Sequence, residues 1–89
     1  MDEAIVHPRV HERHPELADG DVLIAWANAL AARHRLDNAG DRLVVLGADS
    51  NGRLVEMVAS RLPNGTWVVF HAMTPPSHKT LVELGMVRG

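Results

Sequence analysis

Apolar and polar positions along the chain divide into one helical stretch, three strand-like stretches and a second short helix. Val22, Trp26, Ala29, Leu30 and Arg33 recur at helical spacing, with Leu23 and Ala25 widening the stripe. Alanine is abundant here and is the best helix former. Asp19 is placed to cap the start, Asp19 and Asp21 suit the positive end of the dipole, and Arg33, His34 and Arg35 suit the negative end. These signals predict a helix from about Asp21 to His34. Arg42–Ala48, Arg53–Leu62 and Thr66–Met73 then read as strands, separated by Asp49-Ser50-Asn51-Gly52 and Pro63-Asn64-Gly65. Turns this short join antiparallel neighbours. Beyond Thr74-Pro75-Pro76-Ser77 a helix runs to about Leu84, capped by Thr74 or Ser77, with Gly85 at the left-handed C′ position and Met86 after it. Upstream, Ala4–Val6 suits a short edge strand, and Arg9–His14 one helical turn that Pro15 stops.

The turn at Pro63-Asn64-Gly65 decides which side chains share a face. With Asn64-Gly65 as a two-residue turn, Ala59 opposes Phe70 and Met57 opposes Ala72. One face is then wholly apolar (Val55, Met57, Ala59, Val68, Phe70, Ala72), and the other carries Glu56, Val58, Ser60, Trp67, Val69 and His71. With Pro63-Asn64 centring the turn and Gly65 as a bulge, pairing slips by one and His71 lies beside Met57. The clean apolar face favours the first arrangement. The expected fold is α+β: an N-terminal helix, an antiparallel sheet of three to four strands and a short C-terminal helix, both helices on one face.

Composition narrows the chemistry. At 89 residues the chain is a single domain with one modest core. With 46% hydrophobic and 22% charged residues it has an ordinary globular balance, which argues against disorder. The absence of cysteine excludes disulfides, thiolate–zinc sites and thiol catalysis. No stretch approaches the ~20 apolar residues of a membrane span, and the N-terminus lacks a signal-peptide pattern, so a cytoplasmic protein without membrane partners is expected. A net charge of −2 weighs against nucleic acid as the main partner.

Several residues invite a chemical reading. His71 in an apolar strand is a candidate acid or base, and Glu56 a candidate base, although a core histidine and a solvent-facing glutamate are the commoner uses of such positions. Thr74–Lys79 offers a helix start able to hold a phosphate through His78 and Lys79, or simply a strand-to-helix cap. Lys79 and Glu83 form an exposed helical pair. His7, His11 and His14 have spacings that place metal ligands on a helix, but Pro8 and Pro15 interrupt that geometry, so neither metal nor cofactor is expected. Trp26 belongs to the core stripe. Trp67, on the mixed face, is a candidate anchor for a protein partner.

The order of elements, together with Arg13-His14-Pro15-Glu16-Leu17, the segment from Val45 to Val58 with its Gly52-Arg53, and Val69-Phe70-His71-Ala72-Met73, resembles the BrnT-like toxins of bacterial type II toxin–antitoxin systems, within the RelE-like ribonuclease superfamily. The resemblance spans residues 13 to 84. It implies a cognate antitoxin that covers the active surface, a homodimer within that complex, and metal-independent cleavage of RNA. Such cleavage needs a base, an acid and cations on the phosphate. Carried onto this chain, the catalytic set is His71, Glu56 and Lys79, with Arg53 and His78 on phosphate. The family pattern usually has an arginine at the end of the last strand and an acidic residue early in the final helix; Met73 and Lys79 stand there instead. The runner-up function is a non-catalytic protein-interaction module that uses the open sheet face.

Overall fold

The computed structural model describes residues 3–37 and 40–89. Strand β1 (Ala4–Val6) leads into helix α1 (Pro8–Arg13) and helix α2 (Asp19–Ala27). Strands β2 (Ala29–Asp37), β3 (Gly40–Ala48), β4 (Leu54–Arg61) and β5 (Trp67–Met73) follow, and helix α3 (His78–Glu83) closes the chain. The five strands form one sheet in the order β1-β5-β4-β3-β2. The class is α+β as expected, but the sheet is larger and mixed, because β1 pairs with β5 in parallel.

The main correction concerns residues 29 to 34, expected as the second half of a helix. Helix α2 stops at Ala27, where the Asn28 N–H bonds the Ile24 carbonyl and the Asn28 side chain donates to the Ala48 carbonyl at 3.3 Å. From Ala29 the chain runs as β2 along the whole of β3, with one register irregularity between Ala29 and Ala31. Alanine propensity is worth only tenths of a kcal/mol per residue and yields to a full ladder of sheet hydrogen bonds. At the other end of α2 the N-cap is Ala18 rather than Asp19, and Asp21 accepts from the Ala18 N–H at 2.9 Å.

The core lies between α1–α2 and one sheet face. Val10, Leu17, Val22, Ala25 and Trp26 pack there against Leu43, Val45, Val55, Met57, Ala59, Trp67, Val69 and Ala72. Gly47 continues this face: a Cβ on it would stand 1.8 Å from the Ala25 carbonyl oxygen, so only glycine admits α2 so closely.

The expected placement of both helices on one face is also corrected. Helix α3 lies against the opposite face, where its cap and last turn bond Glu56, Arg33 and Arg35. Val44 and Leu46, which point to that side, are fully buried. Ser77 is the N-cap, with its side chain accepting from the Thr80 N–H. Gly85 has φ 73° and the Met86 N–H reaches the Leu81 carbonyl at 2.8 Å, the C-terminal motif expected of Gly85-Met86.

Candidate functional site

Both turn geometries considered for the β4–β5 hairpin contribute to the register. Leu62–Gly65 closes through the Gly65 N–H to the Leu62 carbonyl at 2.9 Å, with Gly65 at φ 90°, which is the glycine-bulge turn. It sets Arg61 opposite Trp67 and Ala59 opposite Val69. A second bulge follows between Val58 and Ala59, beyond which His71 faces Val58 and Ala72 faces Met57, as the two-residue turn requires. Phe70 is the extra residue. Val69 and Ala72 therefore both enter the core, and the consecutive side chains of Phe70 and His71 both stand on the α3 face. Bulges re-aim side chains in this way beside functional sites.

The same slip corrects the position of Trp67. It moves from the mixed face to the core face, where it is 3% exposed, 6.3 Å from Trp26, with the guanidinium of Arg61 and the ring of His34 against it. A buried ring in that setting is a packing residue rather than an anchor on an open face.

Glu56 and His71 do share a face, and they touch. His71 Nε2–H donates to Glu56 Oε2 at 2.8 Å. The other carboxylate oxygen accepts from the Ser77 N–H at 2.7 Å and from the Ser77 hydroxyl at 2.9 Å. Glu56 is 5% exposed. Burial pushes its carboxyl up, but the bonds from His71 and Ser77 outweigh this and hold it down at about 2. A carboxylate so engaged is a poor proton acceptor, so Glu56 serves as the group that orients His71. An ionised carboxylate only accepts, so the proton of a neutral ring sits on Nε2 and the lone pair on Nδ1. The His71 side chain is 32% exposed, open enough to exchange a proton with a bound molecule.

His14, weighed in the sequence only as a metal ligand, is the residue whose place beside His71 sequence reasoning missed. It follows α1, and its half-buried ring meets that of His71 edge-on, centroids 6.2 Å apart. Its Nδ1 lies 3.5 Å from a Glu16 carboxylate oxygen. In the sequence it stood out only as one of three histidines at metal-ligand spacing and as part of the segment Arg13–Leu17.

The other candidates have surroundings of their own. Arg53 donates to the Asp49 carboxylate at 2.7 Å and to the Glu16 carbonyl at 3.4 Å, and stands 3.5 Å from Asp21. Its charge is already met by two carboxylates on the α2 side. Asp49, itself buried, also accepts from the Asn51 and Arg53 N–H groups at 2.9 Å; burial raises its carboxyl, and the bonds from Arg53 and Asn51 bring it below the usual range. His78 and Lys79 are exposed on α3, whereas Ser77 just before them turns to Glu56. Glu83, expected to pair with Lys79, instead takes a two-pronged bond from Arg35, with Arg35 Nε to Oε2 at 2.7 Å; this bond holds its carboxyl below the usual range. His7 caps α1 by accepting from the Arg9 N–H, and His11 bonds the Leu17 carbonyl. Among the described residues no three such groups converge on a metal position.

Comparison with family models, with curated proteins and with solved structures finds no match for this chain. Among the described residues, no helix is long and apolar enough to cross a membrane.

Proposed function

We propose that this chain is a toxin-like component of a type II toxin–antitoxin pair, similar to the BrnT-like toxins, and that it cleaves RNA without a metal. The observation that carries this reading is the half-exposed His71, aimed by a bulge and oriented by a buried, ionised Glu56. His71 and His14 are the two proton-transfer groups. One accepts the proton of a ribose 2′-hydroxyl as its oxygen bonds the neighbouring phosphorus. The other gives a proton to the 5′-oxygen as the old P–O bond breaks. The products are a 2′,3′-cyclic phosphate and a 5′-hydroxyl. Glu56 keeps its charge throughout and fixes the His71 ring. The cognate antitoxin of this proposal is a protein that covers the same surface.

Induced expression in a bacterial host tests the reading. Growth arrest with fragmented RNA, relieved by His71→Ala at equal protein level, supports it. Normal growth with intact RNA and soluble, folded protein contradicts it.

A second reading, a non-catalytic interaction module, is favoured by one observation. Leu23 and Ile24 on α2 and Leu30 at the start of β2 are 40%, 39% and 60% exposed, large apolar side chains of the kind that protein partners cover. Under that reading Leu23→Lys and Leu30→Lys abolish capture of the partner and His71→Ala does not.

A further inference from the structure

The face that carries His71 continues past α3 into an open depression of about 520 Å³, within the size range of small-ligand sites. Its lining includes His7, Arg9, Arg42, Ser60, Val68 and Phe70, and no carboxylate is among the described residues that line it. The Arg42 guanidinium lies 5.3 Å from the centre of the Phe70 ring. Cation–π contact sets that guanidinium against an aromatic ring, and both are groups on which bases stack. Arg9 is exposed at the rim. Two guanidiniums, a hydroxyl and an apolar floor form a pocket for something both anionic and flat.

Phe70 lines this depression and His71 is the residue bonded to Glu56, and the bulge puts these two neighbours on one face. Adjacent strand residues are separated by about 3.3 Å along the chain. A ligand seated on Phe70 therefore extends directly toward the proton-transfer groups. We infer that the depression is a nucleotide subsite for single-stranded RNA: Arg42 and Arg9 hold a phosphate, and Phe70 with the Arg42 plane stacks a base. The inference deepens the proposed cleavage and rests on that reading, but its binding step stands independently. It also answers the objection from net charge. The −2 total is a sum over the chain, whereas the described residues that line this depression include Arg9 and Arg42 and no carboxylate.

The probe is a fluorescein-labelled RNA hexamer with every 2′-hydroxyl methylated, which cannot be cleaved through that oxygen. Its binding to the whole protein is followed by fluorescence anisotropy across a potassium chloride series. Wild type is expected to bind, and Arg9→Gln and Arg42→Gln each to weaken binding about tenfold. Each is also expected to flatten the slope of log affinity against log salt by about 0.7 for every phosphate it ceases to neutralise. Phe70→Ala is expected to weaken binding with the slope unchanged. Arg9 is exposed and, among the described residues, its side chain holds nothing in the fold, so Arg9→Gln decides the matter if Arg42→Gln fails to fold. No binding by wild type, or unchanged affinity and slope in Arg9→Gln, overturns the inference. Cleavage of unmodified RNA is measured alongside. Cleavage with no effect of either arginine leaves the proposed function standing and overturns this subsite; binding through the arginines without cleavage supports the subsite and removes the activity.

Discussion

Glu56 shows how one buried carboxylate is used twice. One oxygen fixes the His71 ring and the other ties the first turn of α3 to β4. Its folded pKa of about 2 lies below its ordinary value of 4.5, so the charged form is the one that folding favours. Its contribution is therefore fully present above about pH 5 and is lost as pH falls toward 2. From the shift this amounts to roughly 3 kcal/mol, and urea unfolding of Glu56→Gln against wild type at pH 7 is expected to show a loss of that order. The gap between the two should narrow steadily from about pH 5 to about pH 2.5. A constant gap would mean that Glu56 acts by packing alone. That Glu56 and His71 share a face was legible in the sequence from the two-residue-turn register, which the bulge at Val58 and Ala59 restores at His71. That Glu56 orients rather than accepts protons was not legible, because Ser77 reaches it from beyond the sheet.

Among the elements, β2 and the β4–β5 hairpin show where local pattern falls short. The meander, the short edge strand Ala4–Val6 and both ends of α3 followed from turn residues and caps, which act within a few positions. In Ala29–Asp37 an alanine-rich segment with a weak helical preference was decided by its pairing partner, a property of β3. The hairpin carries two bulges, so each single-register expectation held over half its length, and Trp67 and Val69 exchanged faces with Val68 and Phe70. Two predictions belong here. Trp67→Ala should cost about 3–5 kcal/mol by thermal or urea unfolding, because the ring is core. A small effect would return Trp67 to the surface. Gly47→Ala should cost about 3 kcal/mol or more, since the new methyl meets the Ala25 carbonyl and α2 must lift from the sheet. A neutral outcome would show that α2 does not pack there.

At the scale of the molecule, the two sheet faces differ in purpose. One is sealed by α1 and α2 over the main core. The other is covered at one end by α3, held through Glu56, Arg33 and Arg35, and left open at the end lined by Arg9, Arg42 and Phe70. The dyad of Glu56 and His71 belongs to this second face. Removing the tie between Arg35 and Glu83 with Glu83→Gln should loosen α3 and cost about 1 kcal/mol, read as a lowered melting temperature, and raised salt should diminish the difference. In the proposed function, the half-exposed His71, oriented by Glu56, transfers protons in RNA cleavage. Purified wild type and His71→Ala, matched for circular dichroism and melting temperature, are incubated with end-labelled single-stranded RNA in the presence of a chelator. Internal cleavage by wild type that leaves 5′-hydroxyl ends is expected, reduced about 100-fold or more in His71→Ala. Intact RNA with wild type, or equal cleavage by the two proteins, would contradict it.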